Sequence, residues 1–297
     1  MRVDTPTGTW TLFWPAAWSI GLASNFAGSC AILDWKLLAL CGAGAILVRC
    51  SACVINDILD RDIDRQVERT KNRPLATGEV SIPQAAVLLS ALSSASLLVL
   101  LQLHWTSVFV GSAAVVMVAL YPLAKKVSNF PQIMLGVTLN WGVLVAWTHL
   151  LGVSELSALA ALYCACVSHT VIYDTIYAHQ DKEDDLKIGV GSAAIQFGDA
   201  TRWWLSGVGS VMIGGLATAG YLCQQPWPYW IGLGATAAQI AWQVGTVNIH
   251  ASEDCWAKFK TNRWLGAILF SSIIAGRALT KRDEESDPSK EPADASL

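Results

Sequence analysis

The chain has 297 residues, of which 53% are hydrophobic and only 14% are Asp, Glu, Lys or Arg, with a formal net charge of −3. Soluble chains carry roughly 25% charged residues, and here the charges are clumped, none falling from Pro83 to Ala124, Val127 to Ser154, Leu156 to Tyr173 or Trp203 to Ser252. Runs of that kind exclude an ordinary soluble core, and a small net charge without a basic stripe excludes nucleic acid as a partner.

A membrane-spanning helix needs about 20 mostly apolar residues. Cutting the chain at its charge clusters and prolines predicts nine such helices, at 10–33, 36–56, 83–103, 105–123, 131–151, 156–178, 202–222, 228–249 and 264–279. The expected fold is therefore an all-α integral membrane protein, a bundle of nine transmembrane helices in one domain over 1–279. The polar segment 280–297, rich in Asp, Glu, Ser and Pro, reads as a disordered tail.

The first segment lacks the basic lead of a signal peptide and runs past the length of one. The second passes Arg49 and then Cys50-x-x-Cys53, which in an apolar helix reads as packing rather than as a redox or zinc pair, before Asn56 and Asp57. The third and fourth are split only by His104 and Trp105, so their turn must be tight. Tryptophans gather near the predicted ends, at Trp10, Trp35, Trp105, Trp203, Trp204, Trp227, Trp256 and Trp264, as rings that favour the headgroup layer do.

Nine crossings place the N-terminus and the loops after the second, fourth, sixth and eighth helices on one side. That side holds Arg2, then Arg61, Arg65, Arg69, Lys71 and Arg73, then Lys125 and Lys126, then Lys182, Lys187 and Arg202, then Lys258, Lys260 and Arg263. The other side has Lys36 and the basic residues of the tail. The excess makes the first side cytoplasmic or its equivalent.

The densest clusters of acid ahead of the tail lie in two loops on that side. The first reads Asn56-Asp57-Ile58-Leu59-Asp60-Arg61-Asp62-Ile63-Asp64. At about 100° per residue, Asp57, Asp60 and Asp64 share one helix face. The second follows the sixth helix, and there Asp174, Asp181 and Asp185 share a face, with Tyr177 among them. Carboxylates aimed at one point repel unless a cation lies between them. Oxygen donors without placed His or Cys select a hard cation, and Mg²⁺ pairs one or two carboxylates with phosphate oxygens. Arg73, Lys125 and Lys126 are the candidates to hold the remaining phosphate oxygens, or else serve only as topology determinants. Arg49 either binds in the same region or is paired inside the bundle. Tyr177 either hydrogen-bonds near the second array or packs at an interface.

Asn56-Asp57-x-x-Asp60-x-x-x-Asp64 and Tyr177-Ala178-x-x-Asp181-x-x-x-Asp185 resemble the two signature motifs of the UbiA-type membrane prenyltransferases. The likeness extends to Pro6-Thr7-Gly8-Thr9-Trp10, Asn72-Arg73-Pro74, Tyr121-Pro122-x-x-Lys125, Asn140-Trp141-Gly142 and the stretch from Tyr173 to Asp181. It is most similar in wording to the 4-hydroxybenzoate polyprenyltransferase branch and to fungal relatives that prenylate phenolic polyketide acids.

The resemblance implies a nine-helix bundle with a central cavity. In it Asp57, Asp60, Asp64, Asp174, Asp181 and Asp185 bind Mg²⁺, with Asn56 beside them, and Arg73, Lys125, Lys126, Arg49 and Tyr177 hold an isoprenyl diphosphate. Lys126 stands where an arginine is expected, and no mitochondrial extension precedes the motifs. On that basis the expected reaction is farnesyl transfer from farnesyl diphosphate to a phenolic acceptor in meroterpenoid biosynthesis, in the endoplasmic reticulum. The alternative is 4-hydroxybenzoate polyprenyl transfer for ubiquinone, in the mitochondrial inner membrane. A transporter is a third reading, opposed by acids that lie at helix ends rather than at mid-bilayer.

Overall fold

The computed structural model describes residues 6–26, 33–67, 70–128, 130–182, 186–187 and 191–286, with the side chains of 119–127 and 283–286 outside that description. The helices are α1 (Thr7–Ala23), α2 (Trp35–Leu59), α3 (Arg61–Asp64), α4 (Pro74–Thr77), α5 (Ile82–Leu100), α6 (Trp105–Val127), α7 (Pro131–Leu139), α8 (Trp141–Leu151), α9 (Leu156–Ala178), α10 (Ala193–Phe197), α11 (Thr201–Leu222), α12 (Trp227–Thr246) and α13 (Ser252–Ser286). No strand occurs among the described residues.

The boundaries follow local chemistry. Asp34 caps α2 by accepting from the Leu37 N–H at 2.8 Å. Ser81 and Gln84 form a reciprocal capping box at the start of α5. The predicted first helix reached 33, but α1 stops at Ala23, where the Ser24 hydroxyl turns back to the Ile20 carbonyl at 2.7 Å.

The segment predicted as one helix over 131–151 is broken at Asn140, whose backbone (φ −88°, ψ 9°) leaves the helical region. Its amide donates to the Gly136 carbonyl at 2.7 Å, the Cys166 carbonyl at 3.2 Å and the Thr170 hydroxyl at 2.8 Å. A buried polar side chain thus ties the break to α9, as expected where a helix is interrupted away from water.

The last predicted span, 264–279, is the middle of a longer helix that starts at Ser252 and runs to Ser286, into the segment read as a tail; 287–297 lie outside the described residues. Its early start depends on Lys258. That ammonium sits 3.5 Å from the centre of the Trp242 ring and donates to the Thr246 hydroxyl, so the charge is accommodated on α12.

Among the described residues, five helical stretches are long and apolar enough to cross a bilayer: Trp35–Leu59, Ile82–Leu100, Pro131–Leu151, Leu156–Ala178 and Ala193–Leu222, with Trp105–Val118 a shorter apolar helix. The predicted count of nine is met only in part. α1 has 17 residues, and α12 is interrupted by Gln239 and Gln243.

α9 lies at the centre of the bundle, packed mainly against α11, with α7 and α13 also on its flanks. Trp18, Trp147, Leu162, Ile172, Met212 and Tyr229 are fully buried in the core around it. Helix pairs in lipid gain nothing from expelling water, so close approach and polar ties matter more. Both are present. Trp18 donates to the Gly266 carbonyl at 3.0 Å, Ser19 to the Val143 carbonyl at 2.9 Å and Tyr229 to the Leu216 carbonyl at 2.7 Å. At Gly266 a side chain is impossible without rearrangement, since a Cβ would come within 2.0 Å of the Trp14 ring.

Candidate functional site

The first acidic segment is braced by its own loop. α2 ends at Leu59, and Asp60 (φ −95°, ψ 8°) interrupts the helix before the single turn of α3. The expected continuous face through Asp57, Asp60 and Asp64 is therefore bent at its middle residue, although the Asp64 N–H still reaches the Asp60 carbonyl at 2.7 Å. Arg73, just ahead of Pro74, folds back over the bend. Its Nη1 donates to Asp57 Oδ1 at 3.0 Å and to Asp64 Oδ2 at 2.6 Å.

Further ties hold the loop. Arg61 Nε donates to the Leu75 carbonyl at 3.2 Å, Arg65 Nε to the Ala76 carbonyl at 2.9 Å, and the Thr70 hydroxyl to the Asp64 carbonyl at 3.0 Å. Asp64 is buried, and Asn56, Asp57 and Asp60 are half-buried. Charge-assisted bonds of this kind are worth far more here than the exposed Arg65–Asp62 pair. Arg73, expected to face phosphate, thus also orients two of the carboxylates.

The second segment is held by packing instead. Asp174 lies in the penultimate turn of α9, half-buried, and Tyr177 stands one turn further on. α9 ends at Ala178, after which the chain tightens: His179, Gln180 and Asp181 donate from their N–H groups to the carbonyls of Ile176, Tyr177 and Ala178. That i→i−3 turn takes Asp181 out of the helical register predicted from its spacing. Asp185 lies outside the described residues. Lys125 and Lys126 close α6, and their side chains likewise lie outside the description. Burial, with Lys182 and His250 nearby, holds the neighbouring His179 down at about 4, so it is neutral at physiological pH.

Both segments leave the bundle at the same end, because the first turns of α1 touch both parent helices. Arg49, on α2 ahead of Asn56, lies so close to Gly8 that a Cβ there would come within 2.6 Å of its Nε. Tyr173, next to Asp174, lies beside Thr11, with the Arg49 charge nearby. Its hydroxyl also meets the Thr170 hydroxyl at 3.1 Å, which links it to Asn140.

The motif reading missed parts of this polar shell, above all His169, whose Nε2 meets the Asn262 amide oxygen at 3.0 Å. The available signal was a polar residue within an otherwise apolar run, as at Asn140. The Tyr177 ring lies 4.9 Å from Phe259 and 6.0 Å from Trp256.

The donor set of the two segments, carboxylates with a neighbouring amide, suits a hard divalent cation. Among the described residues, however, no three His, Cys, Asp or Glu side chains are already gathered to hold one. Arg73 stands between Asp57 and Asp64, neutralising the pair that a cation would otherwise neutralise.

An all-helical membrane bundle with two acidic segments at one end defines a class of protein, and comparison identifies it. The UbiA prenyltransferase family matches residues 12–271, and the chain belongs to that family. It is 50% identical over 279 residues to the mitochondrial 4-hydroxybenzoate polyprenyltransferase of Caenorhabditis elegans, covering 94% of this chain and 78% of that one. It is 46% identical over 276 residues to the Homo sapiens protein of the same name, covering 93% and 74%.

The fold matches that of a UbiA homolog from Aeropyrum pernix K1, with a TM-score of 0.77 at 20% identity over 93% of this chain and 98% of that one. It also matches a UbiA homolog from Archaeoglobus fulgidus bound to GPP and Mg²⁺, with a TM-score of 0.71 at 15% identity over 92% and 97%. The chain is an aromatic prenyltransferase, within the 4-hydroxybenzoate polyprenyltransferase branch. The expected specialisation to fungal meroterpenoids finds no support, since the similar relatives come from animals and, in Arabidopsis thaliana, a plant.

Proposed function

We propose that the protein transfers a polyprenyl group from its diphosphate to the ring carbon beside the phenol of 4-hydroxybenzoate. The observation that carries this reading is 50% identity through 94% of the chain to an enzyme of that name. It displaces farnesyl transfer to a polyketide. The same relatives are named mitochondrial, which favours the inner mitochondrial membrane over the endoplasmic reticulum. The full nine-crossing bundle, with both acidic segments on the matrix side, belongs to this proposal.

Asp57, Asp60, Asp64, Asp174, Asp181 and Asp185, with Asn56, would hold Mg²⁺, which when bound offsets the diphosphate charge and so eases its departure. The chain does the rest. Arg73, Lys125, Lys126 and Arg49 would carry positive charge to the phosphate oxygens, and Tyr177 would offer them a hydroxyl donor. The apolar helices exclude water from the allylic carbon while the lipid tail stays among them. No protein nucleophile is needed, since the electron-rich acceptor ring attacks directly and regains aromaticity on losing its proton.

The test is to incubate membranes carrying the protein with geranyl, farnesyl and longer polyprenyl diphosphates against a panel of phenolic acids, and to weigh the products. Prenylated 4-hydroxybenzoate, with turnover stopped by EDTA and restored by Mg²⁺, is expected. Products from other phenolic acids alone would refute the acceptor, and turnover that persists in metal-free buffer would refute the cation.

A further inference from the structure

A column of rings climbs the α9–α13 seam from the sealed core to the acidic end. Trp18 lies 6.1 Å from His169, His169 meets Tyr173 edge-on at 5.1 Å, and Tyr173 meets Phe259 at 5.7 Å. Phe259 then lies 4.9 Å from Tyr177 and stacks on Trp256 at 5.5 Å and 20°.

Coverage changes along the column. Trp18, His169 and Tyr173 are 0%, 4% and 3% exposed, as core packing requires. Tyr177, Phe259 and Trp256 are only half-buried, so these residues are not sealed into the core as the lower three are. A seam that served packing alone would gain by closing over these three as it does over the lower three.

The direction of the uncovered surface can be read from α9. Tyr177 stands one turn beyond Asp174 and about 60° round the helix from it. Asn140 and Thr170 place α7 on the Asp174 side of α9, while Asn262 and His169 place α13 on the other side of Tyr177. Tyr177 therefore points into the space between α7 and α13, with Phe259 and Trp256 as the adjoining wall. Lys260 Nζ, 5.7 Å from the Trp256 ring centre, shows that this wall already accepts a cation at its outer edge.

We infer that Phe259 and Trp256, with Tyr177, form an aromatic wall that shields the allylic cation during transfer and keeps water from it. The inference rests on the prenyl-transfer reading. When the C1–O bond of the diphosphate breaks, the bonding pair leaves with the diphosphate and positive charge spreads over C1 and C3. That charge has no hydrogen to donate, so carboxylates and hydroxyls cannot bond it directionally, whereas the electron-rich faces of rings can stabilise it. The acceptor ring then supplies the pair for the new C–C bond, and its proton passes to the departed diphosphate. If water supplies the pair instead, a prenyl alcohol forms and the donor is wasted.

The experiment compares Phe259→Leu and Trp256→Leu with Phe259→Tyr and Trp256→Phe in the purified full chain with Mg²⁺, geranyl diphosphate and 4-hydroxybenzoate. It measures kcat, donor KM and the ratio of prenyl alcohol to prenylated acid. The leucine variants are expected to lose about tenfold in kcat with donor KM within about twofold, as for a contact made only at the transition state. Their alcohol fraction rises several-fold, and the aromatic replacements restore both quantities.

Parent values of kcat and alcohol fraction in both leucine variants would overturn the wall, as would a loss confined to donor KM or an aromatic replacement no better than leucine. Where one leucine variant does not fold, the other and the two aromatic replacements decide. A parent protein that prenylates no phenolic acid in the same assay would instead sink the underlying reading, an outcome separate from normal behaviour of the variants.

Discussion

The two acidic segments, alike in composition, stand on different foundations. The first hangs from α2, a helix only 22% buried within the bundle, and is organised by polar bonds inside its own loop, chiefly Arg73 to Asp57 and Asp64. The second grows out of α9, which is 61% buried, and its geometry is inherited from the core. A site assembled from one self-braced loop and one core-braced helix end has two separate ways to fail, through local charge or through packing.

The largest effect should come from removing a carboxylate on either side. Asp57→Ala and Asp181→Ala should each cut turnover by at least about 10²-fold, the scale for losing one electrostatic contact to developing charge. Purified variants that stay within threefold of the parent would show that the carboxylates are not partners in the site.

Next comes the foundation of the second segment. Leu162→Ala, in the sealed part of α9, should lower stability by about 2–3 kcal/mol through the cavity it leaves. Activity per folded molecule should be kept at low temperature. A detergent melting curve with parallel activity assays checks this, and lost activity without lost stability would erase the distinction drawn above.

Arg73→Gln should do the reverse. It should reduce kcat/KM by about 10- to 100-fold, beyond what its effect on the melting temperature explains, with Arg73→Lys intermediate because an ammonium keeps the charge but not the reach of the guanidinium. A large melting shift in place of the activity loss would mean that Arg73 serves the fold first.

The smallest pair of effects concerns methyl groups. Gly266→Ala should cost about 1–3 kcal/mol against the Trp14 ring, whereas Gly44→Ala on α2, where a Cβ meets nothing within 4 Å, should stay within about 0.5 kcal/mol. Equal costs would mean that α2 is as tightly packed as the α1–α13 seam.

Much of this was legible in the sequence where the signal is local. Long uncharged runs announced helices because the bilayer leaves the backbone no other way to satisfy itself, and the spacing of Asp57, Asp60 and Asp64 pointed to the acidic end. What depends on distant chain was not legible. The break at Asn140 is stabilised by Cys166 and Thr170, 26 and 30 residues away, while the bend at Asp60 is stabilised by Arg73 and the early start of α13 by Trp242 and Thr246, pairings across a turn that helical periodicity does not specify. Phe259 and Trp256 lay in a stretch read as interfacial loop, and only the contact with Tyr177 sets them apart from any other membrane-surface aromatics.

The bare hydrogen at Gly8 sets the depth of a charge. The guanidinium of Arg49 rests where a methyl would intrude, so any larger residue would act as a wedge, lifting the cation toward the headgroups or prising α1 from α2. The least reactive residue type in the chain thereby fixes how far below the membrane surface a positive charge can be stationed.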